Sequence, residues 1–368
     1  MRVDLGDGAS DGHPALTAIC AIIVNADRLR IRTARIEEIR CGVMSSVMVM
    51  LRAHHAKLPC VPPAPILHWS MKTLGIWFAA LRPISFTASV IPVLVGTAIA
   101  ATDEFHPWLF VLALAGSVAI HAGTNLVNDY FDHIKGTDNE ESLGQSGVIQ
   151  RGLLSPRAVL TGGIVAFLVG GAIGLVITAY AGWPVLALGV ASVAAGYFYT
   201  ASPFSLAYRG LGEAVVFVFM GPVIVIGAYY VQTGGWDWLP FVASLPVGLL
   251  VAAILHANNI RDIENDRRNN KWTLAALAGR PIADYEFIAL MLGGYAVVVV
   301  MTLARTAPWP ILITLLTLPI AVRIVQAETH ARSPRRLNLV LARTAGLHMI
   351  FGCLLALGFA LAVWTGLS

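Results

Sequence analysis

Charge is scarce in this chain. Of its 368 residues only 12% are charged and 57% are apolar, and the mean hydropathy is +0.72. A soluble domain carries about 25% charge. With half of that a soluble chain of this length could not cover its surface with polar groups, so a bilayer must supply the missing apolar solvent. Cysteine is scarce as well: Cys20, Cys41, Cys60 and Cys353 form no C-x-x-C pair, and three of them precede the first firm apolar segment. Neither a disulfide framework nor a zinc site is indicated. Composition also excludes disorder, coiled coil and collagen.

What is present is a series of long apolar runs. A helical crossing needs about 20 largely apolar residues. Hydropathy, punctuated by positive charges, predicts nine spans near 76–101, 106–128, 159–181, 183–200, 211–232, 238–258, 287–305, 309–327 and 341–364. Pro107, Pro184, Pro308 and Pro310 open spans, while Gly182 and the Gly234-Gly235 pair close them.

With that count every Lys and Arg except Arg305 falls on one side of the membrane. Adding or removing one span would scatter them over both. The positive-inside rule then places the N-terminus in the cytoplasm and the C-terminus outside. The net charge of +4 reflects this topology, and no nucleic-acid partner is expected. The arginines of 323–343 are read as lipid-headgroup and orientation charges. The expected fold is an all-α, multi-pass membrane protein with nine transmembrane helices, lodged in the cell membrane.

Residues 1–70 are compositionally separate. They hold a mixed-charge stretch at Arg28–Arg40, an apolar run at 15–24 too short to span, and a proline cluster at 62–65. The run lacks the basic flank and cleavage context of a secretory signal, and Met71 immediately precedes a natural first helix. One reading is that this extension is dispensable to a membrane domain of residues 71–368, or an upstream mis-start of the reading frame.

The second and sixth spans both end in a polar burst. On a helix, Asn125, Asp129 and Asp132 fall on one face at i, i+4 and i+7, and Asn258, Asp262 and Asp266 do so at i, i+4 and i+8. An even number of crossings separates the two, so the clusters emerge at the same surface and can face each other. The spacing of Asp129 and Asp262 also suggests a weak internal repeat. Paired carboxylates and amide oxygens form a hard, oxygen-rich set of the kind Mg²⁺ prefers, and Mg²⁺ commonly completes its shell with substrate phosphates. A diphosphate is therefore the expected ligand. Lys135, Arg151, Arg261, Arg267 and Lys271 stand in the same loops to meet its remaining charge. The blander alternative pairs these charges locally, Asp132 with Lys135 or Asp262 with Arg267.

His121 and His256, inside the same two helices, are expected to be packed, hydrogen-bonded residues and not ligands. Gly170 and Gly174 have the spacing of close helix packing. The connection Tyr197–Glu213 is bent by Pro203, and its aromatics and Glu213 are expected beside the site, since little but a favourable helix N-terminus otherwise explains an acid at that point.

Two Asp-rich motifs ending the second and sixth of nine helices resemble the UbiA superfamily of intramembrane prenyltransferases. Residues 128–138 (NDYFDHIKGTD), 147–156 (GVIQRGLLSP), 199–213 (YTASPFSLAYRGLGE), 258–280 (NNIRDIENDRRNNKWTLAALAGR) and the opening Leu81-Arg82-Pro83 resemble the branch acting on 1,4-dihydroxy-2-naphthoate in menaquinone biosynthesis. The resemblance covers about residues 73–364. In one respect the chain departs from the common first motif: position 136 is Gly, and the next carboxylate is Asp138.

The resemblance implies a UbiA-type bundle with a lateral opening to membrane lipid, holding a polyprenyl diphosphate by its headgroup at the cytoplasmic end. Two diphosphate-bridged Mg²⁺ ions would be held by Asn125, Asp129 and Asp132 on one side and by Asp262 and Asp266 on the other. Asp129, Asp132, Asp262 and Asp266 are the implied catalytic residues. Substrate contacts are implied for Arg82, Asn128, Lys135, Asp138, Arg151, Tyr197, Tyr199, Arg209, Asn258, Asn259, Arg261, Arg267 and Lys271. The implied acceptor is the dihydroxynaphthoate ring. Other aromatic acceptors (4-hydroxybenzoate, homogentisate, haem) would use the same metal core. A cation-coupled transporter is the alternative of a different class, and a soluble prenyl synthase is excluded by hydropathy.

Overall fold

The computed structural model describes residues 66–101, 104–139, 146–331 and 333–365, with side chains from 73 onward. The expectations for residues 1–65 lie outside the described residues. The described chain is helical almost throughout, and its one β-bridge joins Arg209 and Trp272.

The helices in chain order are α1 (Ile66–Ala80), α2 (Thr87–Ala100), α3 (Pro107–Ile134), α4 (Pro156–Ala181), α5 (Trp183–Phe198), α6 (Gly212–Val218), α7 (Ile224–Thr233), α8 (Trp238–Arg268), α9 (Leu274–Ala278), α10 (Arg280–Leu303), α11 (Leu318–His330) and α12 (Pro334–Thr365). A π-helical turn, Phe219–Val223, joins α6 to α7, and a 3-10 segment, Trp309–Thr317, leads into α11. Among the described residues eight helical segments are long and apolar enough to cross a membrane; α5, equally apolar, is shorter. The protein is a multi-pass, all-α membrane protein.

The predicted first span, 76–101, is two elements. Pro83 disfavours an α conformation for the residue before it, and Arg82 lies in the left-handed region at φ 55°, ψ 60°. The chain therefore turns at Leu81-Arg82 and re-enters helix through a 3-10 segment, Pro83–Phe86. Elsewhere the helices outrun the apolar segments. α3 continues to Ile134 and α8 to Arg268, so both acidic clusters are helical and project beyond the apolar stretch as the final turns of long rods. Ser155 caps α4, accepting from the Ala158 amide at 3.2 Å, and Asp237 caps α8, accepting from Leu239 at 2.7 Å.

α8 is the central helix, packed against α2, α6, α10 and α12, while α3 pairs with α4. Small residues permit the closest approaches. A Cβ on Gly96 of α2 would stand 2.2 Å from the Val225 carbonyl oxygen of α7, and one on Gly170 of α4 would stand 2.7 Å from Ile120 of α3. Gly174 has nothing within 4 Å of such a Cβ. The expected Gly170–Gly174 packing pair is therefore corrected: only Gly170 meets a neighbouring helix. Exposed Trp108, Trp183, Trp236, Trp238, Trp309 and Trp364 stand at the helix ends opposite those that bear the acidic clusters. Such a belt of indoles suits the membrane–water interface.

Candidate active site

At their polar ends α3 and α8 converge with the turn at Arg82, the 199–211 connection and the Lys271 loop. The turn at Arg82 is fixed from α3. Asn125 Nδ2 donates to the Leu81 carbonyl and to Ser85 Oγ, both at 3.0 Å. The Arg82 guanidinium pairs with Asp129 and reaches Asn128 Oδ1 at 3.5 Å. Ser146 also donates to Asp129. Burial works against the charge on Arg82, yet Asp129, Asp138 and Asp132 together outweigh it and hold its pKa above the ordinary value.

Asp132 is buried and accepts from Tyr208 OH at 2.7 Å and from Asn128 Nδ2 at 2.9 Å. Its cation comes from the loop that follows the other cluster. Lys271 Nζ lies 3.4 Å from Asp132 Oδ2 and 3.9 Å from Asp266 Oδ1. Burial disfavours the ammonium, but the two carboxylates flanking it raise its pKa well above the usual range, so Lys271 stays charged. One side chain thus joins the two acidic clusters, and they share a single mouth. Asn265 Nδ2 reinforces this by donating to the Thr137 carbonyl at 2.9 Å.

In the second cluster Asp266 accepts from Thr273 Oγ1 at 3.3 Å. Asp262 receives both Nε (2.8 Å) and Nη2 (2.5 Å) of Arg261, whose Nη1 reaches Asn338 of α12 at 2.6 Å. Arg261 Nη2 also donates to Asn258 Oδ1 at 2.8 Å. Among the described residues no three His, Cys, Asp or Glu side chains converge on one point.

These groups ring the polar end of a cavity of about 1030 Å³. Of the expected residues, Arg82, Asn125, Asn128, Asp132, Asp138, Tyr197, Tyr199, Asn258, Asn259, Arg261, Asp262 and Lys271 line it; Asp129 and Asp266 lie buried just behind. Asp138 is pushed up to about 6 by burial and by Asp132. Beyond Tyr197 and Tyr199 the walls turn apolar and run between α3, α4, α5 and α7 as far as Val185 and Val231. Burial raises the Tyr199 phenol, which stays neutral.

Four expected contacts are turned elsewhere. Lys135 Nζ donates to the Thr200 carbonyl at 2.5 Å and to Ser205 Oγ at 2.7 Å, and lies 4.1 Å from the Tyr208 ring centre. Burial lowers its pKa. Arg151 bonds the Gly147 and Ser146 carbonyls of its own loop. Arg209 is exposed and donates to the Pro203 carbonyl, while Arg267 donates to the Ala276 carbonyl. Of the local pairings of the blander alternative, Asp132 takes the distant Lys271 in place of Lys135, whereas Asp262 does pair locally, with its neighbour Arg261 in place of Arg267.

His121 and His256 are packed as expected, His121 on Ser89 Oγ at 2.8 Å and His256 between Glu213 (3.0 Å) and the Ala283 carbonyl (3.0 Å). Nothing in the spacing of residues marks Ser146, Tyr208 or Thr273 as partners of the acidic clusters. Tyr208 and Thr273 sit in the quoted motifs and Ser146 immediately before one, but only the fold says which carboxylate each hydroxyl meets.

Residues 89–347 match the UbiA prenyltransferase family. The chain is 32% identical to the 1,4-dihydroxy-2-naphthoate octaprenyltransferase of Bacillus subtilis, over 76% of this chain and 91% of that protein. It is 35% identical to the protein of the same name from Mycobacterium tuberculosis, over 78% of this chain and 97% of that protein. Among solved structures, a UbiA homolog from Archaeoglobus fulgidus bound to DMAPP and Mg²⁺ superposes with a TM-score of 0.53 at 17% identity, covering 78% of this chain and 99% of that one.

Proposed function

The chain belongs to the UbiA prenyltransferase family and is a membrane prenyltransferase; from that premise we propose that it transfers a polyprenyl group from polyprenyl diphosphate to 1,4-dihydroxy-2-naphthoate, with Mg²⁺ and with loss of the acceptor carboxyl as CO₂. The observation that carries the proposal is the meeting of two acidic clusters around Lys271 at the polar end of an otherwise apolar cavity. Such a cavity suits a molecule with an anionic head and a long hydrocarbon tail. The names of the Bacillus and Mycobacterium relatives support the acceptor. A prenyltransferase family also leaves no need for the transporter alternative.

The residues fit magnesium by their chemistry. The donors are all hard oxygens, and Asn125 commits its amide nitrogen to Leu81 and Ser85, leaving Oδ1 as its accepting atom. Mg²⁺ is usually held by one or two carboxylates with substrate phosphates and water, not by an all-protein cage, so carboxylates divided between two helices suit it. Asn125, Asp129 and Asp132 would hold one ion and Asp262 and Asp266 the other. Bound magnesium neutralises the diphosphate and improves it as a leaving group.

The chain's own groups orient the reaction. Lys271 and Arg82 flank the headgroup position and take up negative charge as the allylic C–O bond breaks. Tyr197 and Tyr199 present aromatic faces where the allylic cation develops. The ring carbon bearing the carboxylate forms the new C–C bond; the bond to CO₂ then breaks, and its electron pair restores aromaticity. No strong base is needed.

In this reading residues 71–368 are the catalytic membrane domain, residues 1–70 are dispensable, and the clusters face the cytoplasm across nine crossings. The test is turnover in membranes: dihydroxynaphthoate and an allylic diphosphate should give a prenylated, decarboxylated quinol only with Mg²⁺. A parallel panel with 4-hydroxybenzoate, homogentisate and haem decides the acceptor, and conversion of one of these in place of dihydroxynaphthoate overturns it.

A further inference from the structure

Residues 208–213 reach the first acidic cluster at one end and Asn259, beside the second cluster, at the other; neither the Tyr208 nor the Glu213 side chain lines the cavity. At one end Tyr208 OH donates to Asp132 Oδ1 at 2.7 Å and shares its hydroxyl with Thr137 at 2.7 Å. At the other end Glu213, buried at the start of α6, accepts on one oxygen from Asn259 Nδ2 at 2.8 Å and faces His256 Nδ1 at 3.0 Å. His256 is fully buried, and its other nitrogen meets the Ala283 carbonyl at 3.0 Å, so the Glu213 contact is anchored to α10 as well. Between the two ends the main chain is tied to the Lys271 loop: the Trp272 amide donates to the Tyr208 carbonyl at 3.2 Å.

The consequences are geometric. Asp132 and Asp266 are like charges facing one ammonium, and the rotamer of each decides how far apart the two rims stand. Tyr208 fixes Asp132 from the side away from the cavity. Glu213 engages the amide nitrogen of Asn259, which leaves the Asn259 oxygen as the polar atom available to the cavity that this residue lines. A short covalent path links the two fixings.

We propose that residues 208–213 form a strap that sets the spacing of the two acidic clusters, with Tyr208 positioning Asp132 and Glu213 positioning Asn259. The proposal rests on the function proposed above and adds the positioning residues of that site. Neither side chain touches substrate; each acts through the group it holds.

The test uses the full chain in membranes and in detergent, with Tyr208→Phe, Glu213→Met, which cannot accept from Asn259, and the double variant. Three quantities are read: turnover of geranyl diphosphate with dihydroxynaphthoate, the Mg²⁺ concentration for half-maximal rate, and calorimetric binding of geranyl diphosphate with Mg²⁺. Loss of a hydrogen bond to a charged group predicts about a tenfold fall in kcat/KM for each single variant, with a raised Mg²⁺ requirement and a melting temperature near wild type. Because both act on one spacing, the double variant should lose little more than either single one. Unchanged Mg²⁺ half-saturation, or losses that multiply and follow a falling melting temperature, overturn the strap. If Tyr208→Phe does not accumulate, Thr137→Val, which removes the other bond to the same hydroxyl, replaces it. A wild-type protein that neither binds nor converts the diphosphate overturns the proposed function and the strap with it; wild-type turnover with indifferent variants overturns the strap alone.

Discussion

Lys271 Nζ, in the loop that follows α8, lies 3.4 Å from Asp132 Oδ2 on α3, although the two residues are 139 positions apart in the chain. Asp266 stands on the other side of the same ammonium at 3.9 Å. Lys271 therefore holds together two carboxylate groups that would otherwise repel, at the place where a diphosphate headgroup is proposed to sit.

Lys271→Met should remove that cation while keeping much of the side-chain volume. Breaking a buried ion pair from one side costs about 3 kcal/mol or more, and here two carboxylates lose a partner. The melting temperature should fall, Mg²⁺ should restore part of it, and KM for the diphosphate should rise more than kcat falls. Thermal melts with and without Mg²⁺, together with initial rates, check this; a melting temperature indifferent to Mg²⁺ contradicts it.

Asp129→Ala and Asp262→Ala, one from each cluster, should each lower turnover by about a hundredfold or more, the scale on which electrostatic stabilisation of a leaving group acts. Chelation of divalent ions should abolish turnover of the wild type, and Mg²⁺ should restore it. If both variants turn over at the wild-type rate, the two-metal assignment is wrong.

The acidic clusters were legible because their spacing is local: Asn125, Asp129 and Asp132 share a helix face whatever the helix packs against. The apolar runs were legible for the same reason: among the described residues eight form helical segments long enough to cross a membrane, and the run at 183–200 forms the shorter α5. The break at Arg82 was partly legible, since Pro83 announces a constraint on the residue before it, but the apolar residues on both sides read together as one span. What could not be read are the long-range choices. Lys271 was one of several basic residues in its loop, and nothing in the sequence distinguishes it from Arg267, which instead bonds the Ala276 carbonyl. Glu213 stood out as an acid at the head of an apolar helix, yet its buried contact with His256 depends on how α6 meets α8. Gly170 and Gly174 share one motif and part company because α3 approaches only the first.

Gly174 lines the apolar part of the cavity with open space where a Cβ would be built. Gly174→Leu should therefore be tolerated, with a stability change within about 0.5 kcal/mol, as at sites without a packing clash. Its side chain would occupy the room proposed for the prenyl tail. The preference among donors should move toward shorter chains, read as the ratio of kcat/KM for geranyl over longer polyprenyl diphosphates. An unchanged ratio would mean that the tail leaves the cavity before it reaches α4.

Gly96 is the opposite case. A Cβ there would stand 2.2 Å from the Val225 carbonyl oxygen and 2.9 Å from the Ala228 Cβ, so α2 and α7 would have to separate. The obstacle is backbone, which cannot rotate out of the way, and overpacking of this kind costs about 1–3 kcal/mol. Gly96→Ala should lower the melting temperature while leaving the Mg²⁺ half-saturation near wild type, because α2 and α7 meet away from the acidic clusters. Measured beside Tyr208→Phe, it separates the two ways a variant of this protein can lose activity: by loosening the bundle, or by shifting the carboxylates within an intact one.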